Sequence, residues 1–465
     1  MPVSAGKSRP RRAMTEAQPD PVPAPAARVT PVPRGEFARR RRQLMGMLEP
    51  DSIAIVTAAS HAVRSRDTEF PFRQDSDFYY LTGFAEPDAV AVFIPGREYG
   101  EYVLFCHEKD AQEELWHGER AGTDIARERL GADDAFPLAD IDDILPGLLE
   151  GRGRVYYSMG RSREFDARVM AWVNSIRSKV ASGAVPPGEF TDLDHLLHEQ
   201  RLFKSAAEIR QMRQAAAITV AAHRRAMRQC RPGMFEYELE AELLHEFARN
   251  GARHAAYPSI VAGGVNACTM HYIANRHRLK RGDLVLVDAG CEYRGYAADV
   301  TRTFPVSGRF NRRQRALYDL TLRAQEAALD QLGPGRDWDA AHSATVGVIT
   351  RGLVELGLLQ GDPEALIAQH AYRPFYMHRV GHWLGLDVHD VGDYRPGGTW
   401  RELEPGMVVT VEPGIYIAPD NDAVPAAWRG IGIRIEDDVL ITQDGCEILS
   451  AGLPRSSQEI EAWMR

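Results

Sequence analysis

Cysteine is scarce in this chain: Cys106, Cys230, Cys268, Cys291 and Cys446 are the only five among 465 residues. They are odd in number, widely spaced and without a C-x-x-C pair. This argues against a disulfide scaffold or a cysteine-rich zinc site and predicts reduced thiols in a cytoplasmic enzyme. Cys291, though close to Asp288, has no expected catalytic part. No run of about 18 apolar residues occurs, so no membrane span is expected. Nor is positive charge in excess. With 56 Lys and Arg against 65 Asp and Glu, the formal net charge is −9, which gives no general electrostatic reason to bind nucleic acid. The one dense basic cluster, Arg39 to Arg42, falls in the amphipathic helix start EFARRRRQLMGML and reads as a solvated face.

What is present reads as a large globular protein. Apolar residues make up 44% and charged residues 26% of the chain, ordinary values for a soluble fold. The length predicts two or three domains. Residues 1–33, rich in Pro and Ala and without the apolar core of a secretory signal, are expected to be a disordered tail. In residues 34–202, short apolar runs (SIAIVTAA, AVAVFIPG, YVLFC, RVYYSMG) alternate with polar helical stretches and predict an α/β domain on a mixed sheet. The Gly/Pro-rich SGAVPPGEF is expected to be a connection near its end. Residues 203–465 predict an α+β domain with helices packed on a sheet. Its first helix starts at Ser205 with Glu208 three residues on, the capping-box pattern. A second follows at FEYELEAELLHEFARNG and stops at Gly251. Two more are expected around Arg312 to Leu332 and Ala340 to Gly357.

The second domain carries four acids and a histidine in strand-like surroundings: Asp288 in LVLVDAG, Asp299 in YAADVTRTF, His382 in VGHWLGLDVHD, Glu412 in TVEPGIY and Glu436 in IRIEDD. Carboxylates in such apolar runs are costly to bury unless a cation neutralises them. Strand alternation places Ile431, Ile433 and Ile435 on one face of GIGIRIEDD and Arg434 and Glu436 on the other. It likewise joins Thr410 with Glu412, and Asp299 with Thr301 and Thr303. Provided these strands are neighbours, a single sheet face gathers Asp299, Glu412 and Glu436. Carboxylates with one imidazole and no thiolate favour hard cations such as Mn²⁺ over structural zinc.

These five stretches, in this order, resemble the pita-bread metallopeptidases, family M24. FPFRQDSDFYYLTGFAEP near the N-terminus narrows the resemblance to aminopeptidase P, the Xaa-Pro aminopeptidases, and the likeness runs from about Glu36 to the final helix. The resemblance implies an α/β N-terminal domain and a pseudo-symmetric α+β pita-bread catalytic domain. It implies two divalent metal ions, bridged by Asp299 and Glu436, with Asp288 on one ion and His382 and Glu412 on the other. It also implies attack by a hydroxide bridging the ions on peptides with proline second, in a homo-oligomer that binds neither nucleic acid nor membrane.

The same resemblance assigns His271 and His389 to the catalytic machinery, where they contact substrate and shuttle protons or stabilise charge. His378 is implied to line the site near the substrate's second residue. Arg434 and Tyr416 are implied to orient the Asp288 carboxylate, although a strand-face arginine also pairs with any nearby acid. Trp116, in EELWHGER, resembles a tryptophan that a neighbouring subunit adds to the proline pocket; ordinary packing within the first domain is the other reading. His223 and His245 read as structural or exposed. Arginines that the family places near the site have no secure counterpart in SGAVPPGEFTDLDH, and only Arg395 or Arg401 is available after LDVHD. Two rival readings share the motifs: a prolidase cleaving Xaa-Pro dipeptides, and a metal-free peptide-binding module, which is expected to have lost ligands.

Overall fold

The computed structural model describes residues 29–465, so residues 1–28 of the expected tail lie outside the described residues. The chain enters through a helix, Arg34–Met45, and its basic run divides by helical periodicity. Arg39 and Arg42 face solvent, whereas Arg40 and Arg41 are buried. The expectation of a solvated face is thus corrected. Arg40 pairs with Glu208 at 3.1 Å and stacks 4.1 Å from the centre of the Tyr80 ring, and Arg41 donates to the Leu81 carbonyl at 2.9 Å. A guanidinium tolerates burial where its donors meet acceptors and its plane meets an aromatic face.

Next comes a six-stranded mixed sheet, ordered Asp134–Pro137, Tyr102–Cys106, Val90–Phe93, Ser52–Thr57, Arg154–Tyr157 and Glu189–Thr191. Ser52–Thr57 runs antiparallel to Val90–Phe93 and parallel to Arg154–Tyr157. The central strands Ser52–Thr57, Val90–Phe93 and Tyr102–Cys106 are largely apolar because both of their faces are covered. Ile53 and Ile55 enter one core while Ala54 and Val56 enter another, the period-two alternation of a doubly buried sheet. The SGAVPPGEF stretch ends inside the edge strand Glu189–Thr191, so the chain leaves this sheet only at the helix Asp194–Leu202.

Beyond it, Ala206–Gln229 opens on the expected capping box. Ser205 Oγ accepts from Glu208 N while Glu208 accepts from Ser205 N. This helix packs on Glu236–Arg249, and Arg312–Leu329 packs on Trp338–Glu355. The strands under these helices depart from the single sheet expected. They form a ladder of Ile260–Gly263, Leu284–Asp288 and Thr301–Pro305, a second of Val408–Val411, Asp437–Ile441 and Cys446–Ile448, a two-stranded pair of Gly414–Ile417 with Ile431–Arg434, and a small sheet of Tyr296–Ala297, Cys291–Tyr293 and His254–Ala255. The break has a physical cause: Pro413 has no N–H to donate, so the chain passes from the second ladder into the pair at Glu412-Pro413. The facing chain crosses back at Ile435-Glu436, where Ile435 N donates to the Pro413 carbonyl at 3.2 Å. Ile433 and Ile435 are fully buried in the core, each contributing about 1.5–3 kcal/mol by burial, which fixes Arg434 and Glu436 on the opposite side.

Candidate metal centre

Glu412 and Glu436 stand at the two crossings just described, and the first ladder delivers the other acids beside them. Asp288 ends the strand Leu284–Asp288 and is registered with Thr301, and Glu436 N donates to the Thr301 carbonyl at 3.0 Å. Residues 380–383 run beside Val408–Val411: Thr410 N donates to the His382 carbonyl at 2.9 Å and Glu412 N to the Val380 carbonyl at 2.7 Å. Two glycines permit this closeness. A Cβ at Gly290 would collide with the Ala298 carbonyl, and one at Gly381 with the Thr410 carbonyl.

Asp288, Asp299, His382, Glu412 and Glu436 consequently line one cavity of about 1080 Å³. One ligand atom from each of Asp299, His382 and Glu436 lies within 4.8 Å of the others. His382 Nε2 is 3.4 Å from Asp299 and 3.7 Å from Glu412. Its Nδ1 donates to the Trp383 carbonyl at 2.9 Å, which turns Nε2 toward the acids. Against the pull of burial, the hydrogen bond to Asp299 and the charges of Glu412 and Asp299 raise the ring to about 9, so Nε2 is the atom that meets either a proton or a cation. Burial, joined by the charges of Asp299, Glu412 and Asp288, pushes the Glu436 carboxyl well above its usual range. Burial lifts Glu412 to about 7 and raises Asp288 against the pull of Arg434. Asp299 is held low despite burial, chiefly by His382. Four carboxylates so arranged ionise together only around positive charge. The all-oxygen set with one imidazole fits divalent cations.

Hydrogen bonds hold the acids from behind. Arg434 Nη2 donates to Asp288, its Nη1 donates to the Tyr416 hydroxyl at 3.0 Å, and Tyr416 lies 3.0 Å from His378 Nε2. His378 Nδ1 donates to the Arg379 carbonyl, so the Tyr416 hydroxyl donates to Nε2. Tyr416 therefore reaches Asp288 only through Arg434. A residue that sequence reasoning missed sits closer: the Tyr257 hydroxyl is 2.7 Å from Asp288 Oδ1 and 2.6 Å from Asp299 Oδ1. Tyr-Pro-Ser has no motif character, and only the fold brings Tyr257 to the acids. Thr301, expected on the same strand face as Asp299, donates to Glu436 at 2.6 Å.

His271, His378 and His389 line the same cavity. The His389 ring meets the His382 ring edge-on, 4.3 Å between centres. Of the two arginine candidates, Arg395 lines the cavity and stacks over Trp400, whereas Arg401 forms a bidentate pair with Glu199. Trp116 is not brought to the cavity. It is 76% exposed beside Leu115 on the helix Ala111–His117, which buries no residue, so packing within its own domain does not account for it. Cys291 is buried against the Ala215 carbonyl, and burial pushes its thiol up to about 12, a value incompatible with a thiolate nucleophile at neutral pH. His223 is fully buried and His245 exposed.

Comparison with known proteins gives the same picture. A family model described as metallopeptidase family M24 matches residues 210–443, and one described as the aminopeptidase P N-terminal domain matches residues 37–156. The chain is 48% identical to the Xaa-Pro aminopeptidase of Escherichia coli, over 93% of this chain and 98% of that protein. Among solved structures it is similar to Pseudomonas aeruginosa aminopeptidase PepP, with 62% identity, a TM-score of 0.92 and 93% and 98% of the two chains covered. It is also similar to E. coli aminopeptidase P with the inhibitor Pro-Leu, with 48% identity, a TM-score of 0.91 and 94% and 99% coverage. With an acid-lined cavity built by the matched segment and likeness along nearly its whole length, the chain belongs to metallopeptidase family M24, in the branch that carries the aminopeptidase P N-terminal domain.

Proposed function

We propose that this protein is a metal-dependent aminopeptidase that releases the first residue of peptides with proline in second position. The observation that carries this reading is the convergence of Asp288, Asp299, His382, Glu412 and Glu436 on one cavity that His271 and His389 also line. Asp299 and Glu436 would be shared by two divalent ions, with Asp288 on one ion and His382 and Glu412 on the other. Mn²⁺ suits the oxygen-rich set. Ions held there supply Lewis-acid polarisation of the scissile carbonyl and an acidified water.

The chain's own side chains do the rest. Arg434 and Tyr257 fix the Asp288 and Asp299 carboxylates, and Thr301 fixes Glu436. As the water oxygen adds to the carbonyl carbon and the carbon–nitrogen bond breaks, the prolyl nitrogen must gain a proton, because an amide anion is a poor leaving group. His271 and His389 are the groups placed to deliver that proton and to donate to the developing oxyanion. The Xaa-Pro bond has no N–H, so substrate cannot be aligned by a ladder hydrogen bond there. Alignment falls to the shape of the cavity, with His378 beside the second residue.

Trp116 serves best as a contribution to a neighbouring subunit's cavity, which makes the working form a homo-oligomer; sedimentation as a monomer would remove that role. No helix among the described residues is long and apolar enough to cross a membrane, and the cytoplasm is the proposed location, with neither nucleic acid nor membrane as partner. The deciding assay strips the protein with chelator, reloads it with Mn²⁺, and offers Xaa-Pro-Xaa tripeptides and Xaa-Pro dipeptides, with products identified by mass. Metal-dependent release of the first residue from tripeptides is expected. Cleavage of dipeptides alone would make the protein a prolidase, and no cleavage with metal bound would make it a binding module.

A further inference from the structure

His389 stands between two acids, Asp387 and Asp390, and both end on one buried guanidinium. Arg201 Nη2 donates to Asp387 Oδ2 at 2.7 Å and to Asp390 Oδ1 at 2.6 Å. Its Nη1 donates at 2.6 Å to Asp77, in the helix Ser76–Thr82 that begins within the first domain's FPFRQDSDF run. Lys204 pairs with the other oxygen of Asp390 at 2.9 Å, and Ser76 donates to Asp387 Oδ1 at 2.6 Å. The side chains of Arg201, Asp77 and Asp390 are 2%, 4% and 1% exposed.

Taking two cations and two carboxylates out of water is not what stability selects. Apolar side chains of equal volume serve stability as well, so a buried charge network is best read by the geometry it enforces. Here that geometry is a loop pinned on both sides of one imidazole. The pinning is tight as well as charged: Asp390 N donates to the Trp383 carbonyl at 2.9 Å, and a Cβ at Gly385 would strike the Asp390 carboxylate.

We propose that Arg201 is a positioning residue for His389. Anchored to Asp77 of the first domain, it holds Asp387 and Asp390 so that the His389 ring keeps its place against His382 and over the cavity. The arrangement makes the first domain part of the catalytic geometry without supplying a group that touches the reacting atoms. The inference rests on the reading of His389 as part of the proton-delivery machinery.

The test is a double-mutant cycle on the Mn²⁺-loaded enzyme with a Xaa-Pro-Xaa tripeptide, using Arg201→Met, His389→Ala and both together. A misplaced catalytic group costs about 10- to 100-fold. Arg201→Met should lower kcat by that factor with KM within about twofold, and should cost nothing further in the His389→Ala background. Equal losses in both backgrounds, or no loss in the first, would overturn the proposal. Full activity of His389→Ala alone would instead overturn the reading of His389. Hydrogen exchange read by mass spectrometry tests the clamp without activity: amides of residues 384–392 should exchange faster in Arg201→Met, and unchanged exchange there would defeat it. Should Arg201→Met fail to fold, Asp387→Asn takes its place in the cycle and in the exchange experiment, with the same expected results. Asp387 is 36% exposed, and its replacement leaves Asp77 and Asp390 paired.

Discussion

At the scale of single residues, burial pushes three of the cavity's carboxyls, Asp288, Glu412 and Glu436, toward the protonated form. Glu436 is the sharpest instance, 2% exposed and pressed by three other acids. Among the described residues its side chain accepts from Thr301, so truncation removes the proposed metal ligand and little packing. Glu436→Ala is expected to lose at least about 100-fold in activity while keeping its circular dichroism spectrum; activity near the parent level with defined metal would end the bridging assignment. His223 gives a pH-dependent prediction. Burial holds it down to about 4 against an ordinary 6.5, while its Nε2 is bonded to the Ala289 carbonyl. Between pH 6.5 and 4 only the unfolded chain binds this proton, so stability falls as pH drops through that window, by up to about 1.4 kcal/mol per pH unit. Outside the window this group contributes no slope. His223→Gln should flatten the dependence in urea titrations, and parallel curves for the two proteins would count against it.

At the scale of elements, local chemistry decides where sequence reading succeeds. The helix Ala206–Gln229 was legible because its cap is written in four consecutive residues. Ser205→Ala should cost about 1 kcal/mol in urea denaturation, and no measurable change would show the cap to be redundant. The strand faces around Arg434 and Glu436 were equally legible, since Ile431, Ile433 and Ile435 alternate with them. The division into separate sheets was not, because many pairing partners lie far apart in sequence. The burial of Arg40 and Arg41 was hidden for a related reason: the acids and rings that accept them come from other segments. Tyr257 and Arg201 escaped notice likewise, each defined by contacts with distant residues rather than by neighbours in the chain.

At the scale of the whole molecule, the five acid- and histidine-bearing segments meet only in the folded chain, so ion binding and folding are linked. Protein reloaded with Mn²⁺ at about 100 times its dissociation constant should gain about 2.7 kcal/mol, read as a higher melting temperature than the chelator-treated protein. An unchanged melting temperature would argue that the cavity takes no ion. The expected two-part organisation is visible as two bodies of secondary structure, yet polar contacts join them, Arg201 to Asp387 and Asp390 on one side and Arg40 to Glu208 on the other.

The Arg40–Glu208 contact also sets an order of events during synthesis. The entry helix is the first described element to leave the ribosome, and the carbonyls of Tyr80 and Leu81 that receive Arg40 and Arg41 follow soon after. Glu208 does not. At about 5–20 residues per second, the stretch from Arg40 to Glu208 takes roughly 10–30 s to emerge. For that interval the Arg40 guanidinium has Glu36, 3.5 Å away on its own helix, as its charge partner in place of Glu208, on the surface where the catalytic half will dock, which keeps a still unpartnered face hydrated until its own chain arrives to cover it.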